Sequence, residues 1–190
     1  LPVDDPLKIS VDEYMRDQRT AGLVIVDDGE IVLEKYGLGF SGEGKWTSFS
    51  VAKSLPSTLV GAAIKDGAIK SIDDKVSEYI PNLRGSAYDD VTIEQLLTMT
   101  SGVRWNEDYG DPNSDVALFA AHEADEGVNA TVSYMRQLPR EAPAGEKWVY
   151  KTGETNLIGV LVSEATGKKL SEYLSEKIWA AYGMEQDASW

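Results

Sequence analysis

The sequence predicts an α/β fold of the α+β type, in which a short antiparallel sheet is flanked by helices and a further lobe is helical. The sheet is predicted because residues 22–26 and 31–36 are strand-like and flank Asp28-Gly29, a dipeptide that favours tight hairpin turns. The helices are predicted because apolar residues after Gly67 recur at a spacing of three and four. No further strong strand follows the hairpin.

Caps and stop signals divide the helical regions. Ser10 and Glu13 have the spacing of a capping box and begin a short first helix. The segment after Ser50 is predicted to form a helix that is apolar on more than one side. Further helices are predicted at residues 92–99, 114–124, 128–137, 154–165 and 170–182, with Gly167 and Gly183 as the stops of the last two.

A hairpin of two strands is marginally stable alone and needs more strands or a covering helix. The chain supplies many helices and almost no additional strand, so we expect it to be the N-terminal part of a larger fold. The missing strands would lie on a C-terminal continuation or on a companion chain. We divide this single, incomplete domain into residues 1–66 with the hairpin, a mainly helical lobe at residues 67–153, and returning helices at residues 154–190.

Composition excludes several classes of function. The formal net charge of −14 argues against binding to nucleic acid. The chain has no cysteine and a single histidine, His122, which rules out thiolate catalysis and Cys/His zinc sites. We expect His122 to be an ordinary residue on a helix surface. Acidic pairs such as Asp27-Asp28 fall at turns, so we expect no metal site, and no cofactor is required.

No apolar run approaches the length of a membrane span, and nothing resembles a signal peptide. We therefore expect a soluble protein without a membrane span. The sequence begins at Leu1 rather than at Met, so the compartment stays open between the cytoplasm and export followed by removal of a signal.

Ser50-Val51-Ala52-Lys53 places a hydroxyl and an amine three residues apart, on one face, at the start of the apolar helix. A partly desolvated lysine can act as a base toward such a serine, and the helix N-terminus favours negative charge that develops nearby. The pattern alone is common, and a helix cap followed by a surface lysine is the alternative. Ser50 is our candidate nucleophile.

Three segments carry a family resemblance: residues 49–54 (FSVAKS), 91–102 (VTIEQLLTMTSG) and 105–112 (WNEDYGDP). Their order resembles the serine β-lactamase and penicillin-binding-protein superfamily over nearly the whole chain. The first segment resembles the nucleophile motif, and the second is similar to a characteristic helix and loop. The third is most similar to the class C-like branch of carboxylesterases and 6-aminohexanoate-dimer (nylon-oligomer) hydrolases. The resemblance implies a β-lactamase-like fold.

The family's second catalytic motif is Tyr-x-Asn or a variant of it, and residues 143–153 (PAGEKWVYKTG) occupy its place. By this resemblance Tyr150 is the catalytic tyrosine. Thr152 stands where relatives have Asn or Ser, so it keeps a hydroxyl but loses the amide that contacts the substrate in β-lactam-binding relatives. Lys151-Thr152-Gly153 also spells the third motif, which relatives carry on a strand. Helical periodicity from Glu154 onward argues against that reading, so we expect the third motif to lie outside the chain.

The resemblance implies a serine hydrolase that cleaves esters or linear amides through an acyl-enzyme intermediate. In this reading Ser50 is the nucleophile, Lys53 and Tyr150 share the proton transfer, and the backbone N–H of Ser50 supplies half of the oxyanion hole. The second oxyanion donor is expected on the missing strands.

Three further residues are candidates for substrate binding: Tyr109, Trp105 and Thr152. The resemblance puts Tyr109 and Trp105 on a loop at the rim of the cleft, where packing is their alternative role. Three functions remain open beside the ester or amide hydrolase. They are a β-lactamase or D,D-peptidase, a catalytically silent binding domain of the same fold, and a structural or partner-binding fragment.

Overall fold

The computed structural model describes residues 9–189, and the chain divides into two units, Leu1–Ser48 and Phe49–Trp190. The first unit contains helix α1 (Val11–Asp17) and strands β1 (Gly22–Asp27) and β2 (Glu30–Tyr36). Ser10 caps α1 through the predicted capping box with Glu13, and Met15 is the buried residue of this helix. The prediction of a short helix followed by a hairpin is confirmed.

Strands β1 and β2 form a two-stranded antiparallel sheet in which Gly22 lies opposite Tyr36. The turn residues Asp28 and Gly29 both have positive φ angles, 51° and 85°. A type I′ hairpin turn requires positive φ at both central positions, which is why Asp-Gly is favoured there. The predicted turn chemistry is therefore the one that closes this hairpin.

The regular elements described in the second unit are helical, apart from isolated β-bridges that pair Lys75 with Thr92 and Val103 with Arg140. A 3₁₀ turn at Phe49–Lys53 leads directly into α2 (Ser54–Lys65). The later helices are α3 (Val76–Tyr79), α4 (Ile93–Leu97), α5 (Asp115–Ala121), α6 (Ala130–Met135), α7 (Thr152–Thr166) and α8 (Leu170–Leu174). Further turns follow α3 and α8: a 3₁₀ turn at Pro81–Leu83 and a π-helical turn at Ser175–Trp179.

Helix α7 lies at the centre of the second unit and contacts α2, α3, α4, α5, α6 and α8. Its apolar face is buried at Leu157, Ile158, Leu161 and Val162. These residues share one core with Leu59, Val60 and Ala63 of α2. Burial of each large aliphatic side chain contributes about 1.5–3 kcal/mol. The packing of α2 against α7 fixes the positions of the two segments that lead into these helices.

Three helices begin, end or divide at positions that differ from their predicted bounds. The helix predicted at residues 92–99 ends at Leu97, because Met99 adopts a left-handed φ of 56° just after the C-cap. The helix predicted at residues 170–182 is divided into α8 and the π-helical turn. Helix α7 begins at Thr152, which confirms that Lys151-Thr152-Gly153 leads into a helix and does not lie on a strand.

The predicted division into residues 1–66, 67–153 and 154–190 stays a prediction. Within the described residues, no helix combines the length and the apolar character needed to cross a membrane.

Candidate active site

The candidate nucleophile lies on the turn that leads into α2. Ser50 and Lys53 belong to the 3₁₀ turn and not to the α-helix in which the sequence predicted them. Residues three apart eclipse one another in a 3₁₀ helix, and Lys53 Nζ lies 3.3 Å from Ser50 Oγ. Ser50 is exposed, whereas Lys53 is half-buried. The turn therefore keeps the serine open to solvent with the amine beside it.

Tyr150 reaches the same place from the segment that leads into α7. Its hydroxyl donates a hydrogen bond of 2.8 Å to Ser50 Oγ, and Lys53 Nζ lies 5.2 Å from the centroid of its ring. That distance is typical of a cation–π contact. A hydrogen bond of 3.1 Å from the Val149 N–H to the Met99 carbonyl holds the segment in place. The structure thus brings together the three residues predicted to be catalytic.

Thr152, the first residue of α7, lies beside Lys53. Its Oγ1 is 3.2 Å from Lys53 Nζ and 3.3 Å from Tyr109 Oη. Thr152 is half-buried, whereas Tyr109 is 73% exposed. Two of the three predicted substrate-binding residues therefore adjoin the Ser50, Lys53 and Tyr150 group.

Glu107, which the sequence did not single out, joins these residues. Its carboxylate accepts hydrogen bonds from the Thr152 backbone N–H at 2.9 Å and from the Tyr109 hydroxyl at 2.8 Å. It also accepts from the Thr152 hydroxyl and the Trp105 indole N–H. Burial raises the pKa of Glu107, but these hydrogen bonds outweigh burial and the pKa is lowered from its ordinary value. Glu107 is therefore charged at neutral pH.

Spacing is the signal in the sequence that points to Glu107. Trp105, Glu107 and Tyr109 alternate along the chain, and alternate side chains of an extended segment point the same way. The alternation alone does not say what the shared face contacts. The contact with Thr152 depends on how the loop meets the start of α7, and that is a tertiary feature.

Trp105 lies in the core and not at a rim. Its side chain is 6% exposed. Its ring packs edge-on against Phe119 and Tyr134, with centroids 6.1 Å and 6.4 Å away. These contacts favour the packing alternative for Trp105 over contact with a substrate. Through its indole N–H, Trp105 links Glu107 to the core.

Two ionisable side chains that follow Tyr150 are fully buried. The Lys151 and Glu154 side chains are both 0% exposed, and Lys151 Nζ lies 3.5 Å from Glu154 Oε1. The same oxygen accepts hydrogen bonds from the Tyr88 hydroxyl at 3.2 Å and from the Ser101 hydroxyl. The second oxygen, Oε2, has no partner among the described residues. Burial raises the pKa of Glu154 to about 7 and lowers the pKa of Lys151.

His122 makes its contacts elsewhere. It follows the last residue of α5, and its Nε2 lies 2.8 Å from Ser133 Oγ. Its ring is half-buried and lies 5.3 Å from the Tyr134 ring. His122 is thus a partly exposed residue at the C-terminus of α5 whose ring contacts Ser133 and Tyr134.

The arrangement around Ser50 places a candidate nucleophile beside two candidate proton-transfer groups. A serine hydroxyl is a weak nucleophile until a neighbouring group removes its proton. Ser50 Oγ has two titratable neighbours within hydrogen-bond reach, Tyr150 and Lys53. The same geometry can support general acid catalysis when a leaving group departs.

Comparison with known proteins gives a consistent picture. The family profile described as Beta-lactamase matches residues 10–189. A 6-aminohexanoate-dimer hydrolase of Paenarthrobacter ureafaciens is 30% identical over 187 residues, which cover 94% of this chain and 46% of that protein. A β-lactamase of Pseudomonas fluorescens is 24% identical over 185 residues, which cover 93% of this chain and 48% of that protein.

The fold is shared with solved structures. A Bacillus anthracis protein assigned as a 6-aminohexanoate-dimer hydrolase aligns with a TM-score of 0.78 at 23% identity, over 94% of this chain and 48% of that one. An alignment at that identity supports the β-lactamase-like fold. The chain spans about half the length of the relatives it matches.

Proposed function

The chain belongs to the β-lactamase family of serine hydrolases, and on that premise we propose that it carries the nucleophile of an enzyme that cleaves esters or linear amides. The observation that carries the proposal is the position of Ser50 Oγ, 2.8 Å from Tyr150 Oη and 3.3 Å from Lys53 Nζ. Ser50 is the proposed nucleophile, and Lys53 and Tyr150 are the proposed proton-transfer pair. No cofactor is needed for this chemistry.

In the acylation step the Ser50 oxygen adds to the substrate carbonyl carbon, and the hydroxyl proton passes to one member of the pair. The bond to the leaving alcohol or amine then breaks as that group receives a proton. Both neighbours donate to Ser50 Oγ in the geometry described, so one of them must first give up a proton to become an acceptor. We assign the base to the Lys53 and Tyr150 pair jointly, because both groups lie within hydrogen-bond reach of Ser50 Oγ.

In the deacylation step, water takes the place of Ser50 as the nucleophile and adds to the carbonyl carbon of the acyl-enzyme. The bond to Ser50 Oγ then breaks, the serine oxygen regains a proton, and the acid is released. The division into two steps replaces one high barrier with two lower ones. We propose the backbone N–H of Ser50 as one oxyanion donor, with a second donor on a strand outside the described residues. That strand would also carry the family's third motif.

Two observations favour esters and linear amides over β-lactams. Thr152 has no side-chain amide, and its hydroxyl is engaged by Glu107 and Lys53. The Paenarthrobacter ureafaciens relative is named as a 6-aminohexanoate-dimer hydrolase, and such a dimer contains a linear amide. The alternative substrate class is the β-lactams, which the name of the Pseudomonas fluorescens relative indicates.

Labelling with a fluorophosphonate tests the nucleophile. We expect the probe to attach at Ser50. The Ser50→Ala variant should not be labelled, and its hydrolysis of p-nitrophenyl butyrate should fall by roughly 10³-fold or more.

Steady-state kinetics test the proton-transfer pair. Lys53→Ala and Tyr150→Phe are each expected to lower kcat by about 10²-fold or more. Near-normal hydrolysis by Ser50→Ala, or a change confined to KM in the other variants, would contradict the assigned roles.

A second assay separates the substrate classes. The same enzyme preparation is given p-nitrophenyl butyrate, a linear amide of 6-aminohexanoate, and nitrocefin. We expect the ester and the linear amide to be hydrolysed with higher kcat/KM than nitrocefin. The reverse order would identify a β-lactamase or D,D-peptidase, and no reaction with any of them would support a silent binding domain.

A further inference from the structure

The Thr152 hydroxyl lies between a charged acceptor and a charged donor. It donates to Glu107 Oε1, and it lies 3.2 Å from Lys53 Nζ. A threonine hydroxyl has one hydrogen and two lone pairs. Because the carboxylate takes the hydrogen, Thr152 Oγ1 can only accept from Lys53. The direction of the Lys53 hydrogen bond is thus set by Glu107.

Glu107 is itself held from several directions. The Thr152 backbone N–H donates to Oε2 at 2.9 Å, and the Tyr109 hydroxyl donates to Oε1 at 2.8 Å. The Trp105 indole N–H, which belongs to the buried core, also donates to Oε2. A carboxylate with this many donors stays charged and fixed, and its orientation is passed to the hydroxyl that it holds.

We propose that Glu107 is a positioning residue that orients Lys53 toward Ser50 through the Thr152 hydroxyl. On this proposal Thr152 positions Lys53 and does not contact the substrate. The inference rests on the proposed role of Lys53 in proton transfer. The proposal places the negative charge of the Glu107 carboxylate one hydroxyl, that of Thr152, away from Lys53 Nζ.

The alternative is that Glu107 only fastens its loop to the start of α7. A purely structural role requires only the hydrogen bonds from the Trp105 indole and the Thr152 backbone. In that case the loss of the Glu107 charge would not change the reactivity of the Lys53 amine. The two roles therefore differ in what happens at the Lys53 amine when the charge of Glu107 is removed.

The groups around Lys53 Nζ define what a measurement on this amine reports. Tyr150 contacts it through its ring, and Tyr109 and Glu107 reach it through Thr152. Glu164 of α7 lines the same cavity of about 420 Å³ as Lys53. Among these groups, Glu107 is the carboxylate that is hydrogen-bonded to a direct partner of Lys53.

Competitive acetylation of lysines, read by mass spectrometry as a function of pH, reports the reactivity of the Lys53 amine whether or not the protein hydrolyses esters. In Glu107→Gln we expect the midpoint of Lys53 acetylation to move to lower pH by roughly 0.5 pH units or more, because loss of a nearby negative charge disfavours the ammonium. Asp108→Asn is the matched control. It removes a charge from the same loop, where Asp108 caps the Gly110 N–H, and we expect it to leave the midpoint unchanged.

Thr152 variants test whether the Thr152 hydroxyl links Glu107 to Lys53, the link called the relay below. They also provide a test if Glu107→Gln does not fold. Thr152→Val removes the hydroxyl with little change in shape and should reproduce the shift in the Lys53 midpoint. Thr152→Ser keeps the hydroxyl and should restore the wild-type midpoint. A Val variant with a wild-type midpoint would overturn the relay.

Steady-state kinetics on the full protein give the second readout. We expect Glu107→Gln to lower kcat about tenfold with KM changed less than about twofold, and Glu107→Asp to recover part of the loss. Identical acetylation curves for Glu107→Gln and Asp108→Asn, or a rise in KM alone, would overturn the proposal. Failure of the wild-type protein to react with the fluorophosphonate at Ser50 would refute the proposed function, whereas the Lys53 acetylation curves would still decide the contact with Glu107.

Discussion

Glu154 is enclosed with Lys151, Tyr88 and Ser101, and its Oε2 meets no donor among the described residues. A carboxylate that loses solvent and is only partly hydrogen-bonded favours its protonated form. Burial raises the pKa of Glu154 from 4.5 to about 7, although Lys151, Ser101 and Tyr88 oppose the rise. Between these values the folded chain keeps a proton that the unfolded chain has released.

This difference gives the stability a defined dependence on pH. Stability falls with rising pH wherever the folded chain binds more protons than the unfolded chain. We predict that the free energy of unfolding of the wild type falls between about pH 5 and pH 8 by roughly 1–3 kcal/mol relative to Glu154→Gln, in which the side chain is always neutral. Urea unfolding across this range measures the difference.

Two features make the Glu154 experiment specific. Carboxylates with lowered pKa, such as Glu107 and Asp74, lose their stabilising contribution only below the ordinary range of the carboxyl pKa. They therefore add no slope above about pH 5. Glu164→Gln, an exposed position on the same helix, is the control. Parallel stability curves for the wild type and Glu154→Gln would contradict the prediction.

Sequence reasoning identified the residues whose chemistry follows from local spacing or from a motif. Ser50 and Lys53 are three residues apart, and Tyr150 follows from the resemblance of its segment. Glu107 and Glu154 were not predicted, because their partners are distant in the sequence: Thr152 for the first, and Tyr88 for the second. A pattern of single residues does not reveal which acid a loop or a helix brings against a hydroxyl.

At the scale of the elements, Gly102 connects the segment after α4 to the segment that leads to Tyr150. Its carbonyl accepts hydrogen bonds from the Glu141 and Ala142 N–H groups, at 2.8 Å and 3.0 Å. Its φ is 72°, and a Cβ at this position would lie 2.0 Å from the Ala142 carbonyl oxygen. The close backbone contact and the left-handed conformation both require glycine here.

We predict opposite effects of the same chemical change at two glycines. Gly102→Ala should lower the free energy of unfolding by roughly 2–4 kcal/mol, because the backbone must move to admit a methyl group. Gly61→Ala should raise it by about 0.5–1 kcal/mol, because alanine has the higher helix propensity. Gly61 is exposed on α2, and nothing lies within 4 Å of its added Cβ. Chemical unfolding of both variants tests this, and equal effects would contradict it.

The elements were predicted well where a cap or a turn dipeptide marks them, as at Ser10 and Asp28-Gly29. They were predicted less well where backbone geometry departs from the α-helix. The Phe49–Lys53 turn is 3₁₀ and the Ser175–Trp179 turn is π-helical. Hydrophobic periodicity does not distinguish these variants from an α-helix over so few residues, because one turn contains too few apolar positions.

At the scale of the whole molecule, the core of the second unit accounts for the helical predictions. The apolar positions that predicted α2 and α7 lie in one shared core. The sheet is different, because the described residues contain only the β1–β2 pair. The sequence predicts each strand from its own composition, and the described residues add no further strand to this pair.

Five β-branched residues of the hairpin are exposed, and they lie on both of its faces. The exposed fractions are 50% for Val24, 44% for Ile25, 58% for Val26, 60% for Ile31 and 60% for Val32. Neighbouring residues in a strand point to opposite faces, so both faces carry exposed apolar side chains, whereas Leu23 and Leu33 are half-buried. A two-stranded sheet of this kind is marginally stable, and open edges favour pairing with another strand. We propose that further strands, from a continuation or a companion chain, pair with this hairpin.

Hydrogen exchange on the 190-residue chain alone tests that proposal. We predict that amides of β1 and β2 exchange within about 10- to 100-fold of the unfolded rate, because few buried contacts oppose opening, whereas those of α7 are strongly protected. Added strands should protect the hairpin.

Val32→Thr should change the free energy of unfolding of the chain alone by less than about 0.5 kcal/mol. The same substitution should lower the free energy of unfolding by about 1 kcal/mol once further strands cover the face on which Val32 lies. A chain that is monomeric, protected throughout the hairpin and active on esters by itself would contradict the proposal, since such a chain would need no further strand.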